Sequence, residues 1–162
     1  DPRPQARGMN APGVESRPSP IAGLGLFAVR AFVGGERIVP YEGTLTTQPP
    51  TPGRPGEATY LLEIEPGRWL DGSAETNPAR HANHACHPNA ELIYDPTEAR
   101  AWLTASQPIE PGTEITFDYG FSLAESLFHP CRCGSPDCIG RIVATPLRGA
   151  SRRHLRFSRP RD

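Results

Sequence analysis

Lysine is absent from this chain of 162 residues, because all 17 residues in the combined lysine and arginine count are arginines. A composition of this kind is typical of a GC-rich genome. It also has a chemical consequence, since any reaction that the protein performs on lysine side chains cannot be performed on itself.

Long apolar segments are missing as well. No stretch approaches the roughly 18 apolar residues that a membrane-spanning helix needs, and the N-terminal residues lack the apolar core of a secretion signal. These absences predict a soluble protein that neither spans a membrane nor is exported. The length suits one domain that can bury a sizeable core.

The net charge of −1 conceals an uneven distribution along the chain. Residues 21–140 hold 7 arginines against 15 acidic residues, whereas residues 141–162 hold 7 arginines against Asp162 alone. An acidic body favours a basic protein or peptide as partner. The basic tail is compatible with nucleic-acid binding, but no nucleic-acid motif accompanies it, so we expect it to be solvated or to fold back on the acidic body.

Cysteine is scarce, with four copies in the whole chain. Three form the pattern C-x-C-x4-C at Cys131, Cys133 and Cys138, and Cys86 lies far upstream. A structural zinc takes four such ligands, but four cysteines can also pair as disulfides or act as redox-sensing thiols. The single residue between Cys131 and Cys133 disfavours a mutual disulfide. We therefore predict zinc and, with reduced thiols, an intracellular location: cytoplasmic in a bacterium, with the nucleus also open in a eukaryote.

Short apolar runs separated by turn residues fill the chain from Ile21 onward. Seven of these runs predict strands: GLGLFAVRAF, ERIVPYEG, TYLLEIE, RWLD, AELIYD, ARAWLTAS and EITFDYG. Helical periodicity is scarce and predicts one or two turns over Ser122–Phe128. Residues 1–20 have almost no apolar content, which predicts a flexible leader. The expected fold is mostly β, with several small sheets rather than one large one.

Three polar motifs stand out beside the cysteines. The first is the GLG turn at 23–25, whose glycines let the backbone approach a ligand or simply form a tight turn. The second is RHANHACHPN at 80–89, whose Asn-His pair suits either a binding corner or a hydrogen-bonded structural one. The third is GTEITFDYG at 112–120, where the tyrosine is either functional or an ordinary buried side chain.

In this order and at these distances, the three motifs and the cysteine pattern resemble those of the SET-domain protein lysine methyltransferases that carry a post-SET zinc cluster. The resemblance runs from about Ile21 to Ile142. It implies a SET-type β-clip fold with a threaded C-terminal segment, in which the corner cysteine joins the tail trio around one zinc. The implied division is a SET domain at 21–125, a post-SET zinc segment at 126–143 and a basic tail at 144–162.

The resemblance also implies roles for single residues. Six would hold the cofactor S-adenosylmethionine, three in the GxG turn and three in the corner: Gly23, Leu24, Gly25, Arg80, Asn83 and His84. Tyr119 is similar to the catalytic tyrosine of the family and Tyr60 to a second tyrosine of the lysine channel, while Phe117 occupies the position of the Phe/Tyr switch. Phe128 and Ile139 would close the end of the channel. Zinc would be held by the four cysteines: Cys86, Cys131, Cys133 and Cys138.

The function that the resemblance implies is S-adenosylmethionine-dependent N-methylation of lysine in a basic protein segment, either a histone-like tail or another basic protein. Phe117 lacks a hydroxyl and leaves room for a methylated amine, so dimethylation or trimethylation is expected. The alternative is a catalytically silent, zinc-stabilised module that binds a peptide without modifying it. Silent relatives would be expected to have lost at least one of Tyr119, Asn83 and His84.

Overall fold

The computed structural model describes residues 11–49 and 60–149 of the chain. Helix α1 of this part spans Leu123–Ser126, and a 3₁₀ turn spans Thr145–Leu147. Arg148 and Gly149, which follow this turn, are also helical, and all other regular structure in the described residues is β. The strands are β1 (Val14–Pro18), β2 (Leu24–Ala28), β3 (Arg37–Tyr41), β4 (Thr44–Thr46), β5 (Leu61–Glu65), β6 (Arg68–Asp71), β7 (Asn83–His84), β8 (Ala90–Asp95), β9 (Arg100–Ala105) and β10 (Glu114–Phe117).

The sheet that carries the polar motifs has four strands in the order β1-β2-β10-β7. Strand β2 pairs antiparallel with both β1 and β10, whereas β7 runs parallel to β10. The register of that parallel pair places Asn83 opposite Thr116 and His84 opposite Phe117. The corner of the second motif therefore lies beside the end of the strand that leads into the third.

Two three-stranded antiparallel sheets complete the described fold, with the orders β3-β9-β8 and β4-β6-β5. Strand β9 shows why these segments form strands: Ala101, Leu103 and Ala105 are buried, while Trp102 and Thr104 are partly exposed. This period of two places one face of the strand on the core. The centre of the core is formed by side chains that are less than 2% exposed, among them Leu26, Phe32, Ile109 and Ile115.

The prediction of a mostly β fold with several small sheets is confirmed, and each of the seven predicted runs contains a strand. The predicted helical turns occur as α1, which has Ser122 as its N-cap. The Glu125 N–H donates to the Ser122 hydroxyl at 3.2 Å, and the Ser122 N–H donates to the Glu125 carboxylate at 2.8 Å. This reciprocal capping box stabilises a helix that is too short to form alone. Within the described residues, no helix is long and apolar enough to cross a membrane.

The expectation of a flexible leader over residues 1–20 is wrong for Val14–Pro18, which forms β1. Every residue of β1 pairs with β2, and the guanidinium carbon of Arg17 lies 3.9 Å from the ring centroid of Phe27. Backbone pairing and an arginine stacked on an aromatic ring stabilise this strand without an apolar sequence, so composition alone did not reveal it. Residues 1–10 of the expected leader lie outside the described residues.

Candidate active site and metal centre

A cavity of about 540 Å³ opens where the turn before β2, the corner at β7 and the end of β10 meet. Its wall also includes the segment that leads into the cysteine trio. Gly25 and Phe117, two of the nine residues predicted for catalysis and cofactor binding, do not line it. The other seven do: Gly23, Leu24, Tyr60, Arg80, Asn83, His84 and Tyr119.

The two glycines of the GxG turn are required for different reasons. Gly23 has a φ of +45°, in the left-handed region that other residues rarely adopt, and nothing lies within 4 Å of a Cβ built there. Gly25 lies behind the cavity wall, where a Cβ would run into the carboxylate of Glu114 and the side chain of Ser19. The first glycine therefore sets the turn, and the second lets the chain lie close to Glu114.

Asn83 fastens the corner to the GxG turn. Its side-chain Nδ2 donates to the Ala22 carbonyl oxygen at 3.1 Å and to the Leu24 carbonyl oxygen at 3.0 Å. The carboxylate of Glu114 lies 2.9 Å from the same nitrogen and also accepts from the Ser19 hydroxyl at 2.8 Å. Because an amide nitrogen has two hydrogens, these acceptors share them and hold the side chain in one orientation.

His84 is 2% exposed and lies between the cavity and the cysteines. Its Nδ1 accepts a hydrogen bond from the Tyr119 N–H at 3.2 Å, and its Nε2 lies 4.0 Å from Cys86 Sγ. Burial lowers the pKa of His84 to about 4, although the nearby Asp118 carboxylate acts in the opposite direction. The ring is therefore neutral at neutral pH, and since Nδ1 is an acceptor, the proton is on Nε2 and faces Cys86.

Tyr119 is held in the cavity wall by its hydroxyl and its ring. The hydroxyl donates to the Ala82 carbonyl oxygen at 2.8 Å. The ring centroid lies 4.9 Å from that of Phe117 and 5.5 Å from that of Phe121. Burial raises the pKa of Tyr119 above its ordinary value, so the hydroxyl keeps its proton at neutral pH.

Phe117 is 1% exposed and lies behind Tyr119 rather than in the cavity wall. Its ring centroid is 6.2 Å from that of Tyr41. The Tyr41 hydroxyl donates to the Tyr60 carbonyl oxygen at 3.2 Å, and burial raises the pKa of Tyr41. Tyr41 thus fixes the backbone at Tyr60. Tyr41 was not among the predicted site residues, although its place at the end of a predicted strand indicates a buried aromatic residue.

Arg80 lines the cavity next to Tyr60. Its guanidinium carbon lies 4.8 Å from the centroid of the Tyr60 ring, which is a cation–π contact. Its Nε is buried and has no hydrogen-bond partner among the described residues. A buried, unpartnered N–H at a cavity wall suits an acceptor on a bound ligand, and a carboxylate above all.

The four cysteines meet beside the corner, and all four thiols are free of disulfides. Their Sγ atoms lie within 4.8 Å of one another, with those of Cys86 and Cys131 3.9 Å apart. Four sulfurs at about 2.3 Å from a tetrahedral zinc are about 3.8 Å from each other. The Cys86 N–H also donates to the Cys133 sulfur at 3.5 Å, and the Gly140 N–H donates to the Cys138 sulfur at 3.4 Å. The donor set and its spacing fit a structural zinc and not a disulfide framework.

The family profile of the SET domain matches residues 23–120. The chain belongs to the SET-domain family. It is 33% identical over 141 residues to the histone-lysine N-methyltransferase ash1 of Drosophila melanogaster, a match that covers 82% of this chain and 6% of that protein. It is also 33% identical over 131 residues to an H3 lysine-4 specific histone-lysine N-methyltransferase of Mycosarcoma maydis, covering 74% of this chain and 9% of that protein. The SET-domain chain thus spans only a small part of the length of these relatives.

Solved SET-domain structures have the same fold. The structure of KRYPTONITE in complex with mCHH DNA, an H3(1-15) peptide and SAH superposes with a TM-score of 0.62 and 26% identity, covering 80% of this chain and 29% of that one. A KRYPTONITE complex with mCHG DNA and SAH gives the same TM-score of 0.62. The resemblance to the SET family and the fold that it implies are therefore confirmed.

Part of the wall of the SET-domain cavity was not predicted from the sequence. Phe128 and Ile139 were expected to close the end of the channel, but neither lines the cavity. Their place is taken by His129, Pro130 and Ile142. The Ile142 N–H donates to the His129 carbonyl oxygen at 2.9 Å, which puts these two residues side by side at the wall. The register of this irregular segment is set by contacts between distant residues, and the sequence carries no local signal for it.

Proposed function

We propose that the protein is an S-adenosylmethionine-dependent protein lysine N-methyltransferase. The observation that carries the proposal is the shared cavity, where Tyr119, the corner residues Asn83 and His84, and the GxG turn meet. The names of the relatives, histone-lysine N-methyltransferases, support it. So does SAH, the cofactor after loss of its methyl group, in the KRYPTONITE complexes.

The GxG turn and three corner residues are the groups proposed to hold the cofactor, which supplies a methyl group on a positively charged sulfur. Gly23 lines the cavity, and no atom lies within 4 Å of a Cβ built there, so the space beside this residue is open. The unpartnered Nε of Arg80 suits the carboxylate of the cofactor. Asn83 and His84 are locked by their own hydrogen bonds, so their orientation does not have to be ordered when the cofactor binds.

The target lysine must react as a neutral amine, against an ordinary pKa of about 10.4. Within the described residues, no aspartate or glutamate lines the cavity, so its wall offers no carboxylate base. Desolvation and a neighbouring positive charge both favour loss of the proton. Tyr119 is fixed by its bond to Ala82 and stays protonated, so its proposed role is to position the amine rather than to remove the proton.

The proposed product is dimethyl- or trimethyl-lysine. Phe117 lies directly behind Tyr119, with their ring centroids 4.9 Å apart, and has no hydroxyl. A hydroxyl at this position would supply a hydrogen-bond partner that could fix the orientation of the lysine amine. Its absence leaves a methylated amine free to turn toward a further transfer.

The proposed substrate is a lysine in a basic segment of another protein. The acidic excess of residues 21–140 favours such a segment by charge complementarity. The H3(1-15) peptide bound to KRYPTONITE supports the same class of substrate. A histone-like tail and another basic protein, such as a ribosomal one, fit equally well.

We also propose that the four cysteines hold one structural zinc. The metal would tie Cys86 of the corner to the trio that follows the cavity-wall residues His129 and Pro130. Structural zinc in small metal-dependent peptides contributes on the order of 10 kcal/mol to folding. Its proposed role here is to hold the C-terminal segment against the cavity and so keep water away from the reacting groups.

The experiment that tests the proposed activity is transfer of labelled methyl from S-adenosylmethionine to core histones and to a mixture of ribosomal proteins, with mass spectrometry of the products. We expect label on lysine, with two or three methyl groups per residue. The same reaction with Tyr119→Phe is the matched control. Cofactor and peptide binding with no transfer would favour the silent binding module, and reduced protein without stoichiometric zinc would favour the redox-sensing thiols.

A further inference from the structure

A buried arginine follows the cysteine trio. Arg148, directly after the 3₁₀ turn, is 8% exposed. Its Nη2 donates a hydrogen bond to the Cys86 carbonyl oxygen at 2.5 Å, and its Nε is buried without a hydrogen-bond partner. No carboxylate of the described residues forms a direct ion pair with it. The Asp118 carboxylate is connected to it only through the Thr145 hydroxyl, which accepts from Nη2 at 3.4 Å. A guanidinium removed from water in this way requires a negative charge nearby.

Zinc-bound cysteines would supply that charge. Four thiolates around one Zn²⁺ carry a net charge of about −2, and two of the ligands, Cys86 and Cys131, are buried. Arg132 lies between two ligands in the sequence, but it is exposed, so water screens its charge. Arg148 instead contacts the backbone of a ligand directly. The buried cation and the buried anion therefore lie side by side.

We propose that Arg148 is the counter-cation of the zinc–cysteine cluster, and that the metal thereby holds the C-terminal turn on the body of the protein. The inference rests on the zinc site proposed above. The turn is also tied to the end of β10, since the N–H and the hydroxyl of Thr145 donate to the Asp118 carboxylate at 2.8 and 2.7 Å. Because Asp118 immediately precedes Tyr119, a turn held by zinc supports the strand end next to the proposed catalytic tyrosine.

The test compares Arg148→Lys with Arg148→Gln in the full chain loaded with zinc. Both new side chains can donate to the Cys86 carbonyl oxygen, but only lysine carries a charge. The measurement is the rate of zinc release to a chromogenic chelator, after the zinc content of each protein has been determined. We expect the lysine variant to release zinc at a rate within about threefold of that of the unchanged protein. The glutamine variant should release it at least about tenfold faster, since tenfold is the lower end of the usual effect of removing a residue that supports a metal ligand. Arg100→Gln, which removes the same charge from the exposed pair with Glu42, should not change the rate.

Equal release rates from the lysine and glutamine variants would overturn the proposal, because the charge of Arg148 would then not matter. If the glutamine variant does not fold, the lysine variant decides: a folded protein with near-unchanged release supports the counter-cation, and release at least about tenfold faster refutes it. An unchanged protein that binds no stoichiometric zinc would refute the zinc site itself, and this inference with it, before any variant is compared.

Discussion

The backbone N–H of Tyr119 donates to Nδ1 of His84 at 3.2 Å, and the two rings meet edge to face with their centroids 5.5 Å apart. The parallel pairing of β7 with β10 produces this contact between two distant segments. Since Nε2 of the same imidazole lies 4.0 Å from Cys86 Sγ, one buried ring connects the proposed catalytic tyrosine to the cysteine cluster. Loss of a cysteine ligand is therefore expected to alter the position of Tyr119 in the cavity wall through His84.

Tyr119→Phe is expected to lower the methyl-transfer rate constant by at least about 100-fold, the usual scale for losing one oriented polar group at a reacting centre. The ring keeps its contacts with Phe117 and Phe121, so the dissociation constant for the cofactor should change by less than about threefold. Single-turnover transfer and cofactor binding by calorimetry measure the two effects. Tyr94→Phe, in a strand away from the cavity wall, is the control. Weak cofactor binding with a normal rate would contradict the role assigned to Tyr119.

Gly25→Ala is expected to weaken cofactor binding and to destabilise the fold by about 1–3 kcal/mol. The new Cβ would run into Glu114 and Ser19, the groups that hold the Asn83 amide against the GxG turn. Cofactor titration and thermal unfolding measure the two losses. Gly34→Ala is the matched control, because its Cβ meets nothing closer than 3.7 Å and its φ is not in the left-handed region. Equal, small effects at both glycines would show that the close approach to Glu114 does not matter.

The sequence predicts most strands because their signal is local. In β9, the buried and partly exposed residues alternate within the strand itself. Strand β7 has no such signal: it consists of two polar residues, Asn83–His84, and it exists because β10 offers a parallel partner. Strand β1 was missed for the same reason, since its Glu15 and Arg17 are not apolar and its pairing with β2 defines it.

The residues of the candidate site were named through the family resemblance, but their contacts were not. The hydrogen bonds of Asn83 and His84 join segments that are far apart in the sequence. Arg148 lies in the segment that was predicted from composition to be a basic tail. It is buried because its side chain reaches the Cys86 carbonyl oxygen. Such contacts depend on how the chain is threaded in the fold, and a short segment of sequence carries no information about that.

Phe117→Tyr is expected to shift the products toward monomethyl-lysine. The new hydroxyl would lie next to Tyr119, where it adds a hydrogen-bonding group behind the cavity wall. Its introduction at a side chain that is 1% exposed should also cost about 1–3 kcal/mol of stability. Mass spectrometry of products at equal total methylation measures the shift. Phe32→Tyr adds the same hydroxyl to another buried phenylalanine and should destabilise the protein without changing the product ratio. An unchanged product ratio in Phe117→Tyr would refute the switch role.

Cys138→Ser is expected to abolish stoichiometric zinc binding and methyl transfer together. The variant leaves three thiols, and the loop that Cys138 closes through the Gly140 N–H loses its metal anchor. Without that anchor, His129 and Pro130 are no longer held at the cavity wall. Metal analysis, limited proteolysis and labelled methyl transfer follow the three consequences. The unchanged protein stripped with a chelator should behave in the same way and recover when zinc is returned, whereas the variant should not. A variant that stays active while free of metal would contradict the proposed role of the cluster. The cavity would then form without the zinc link between Cys86 and the other three cysteines.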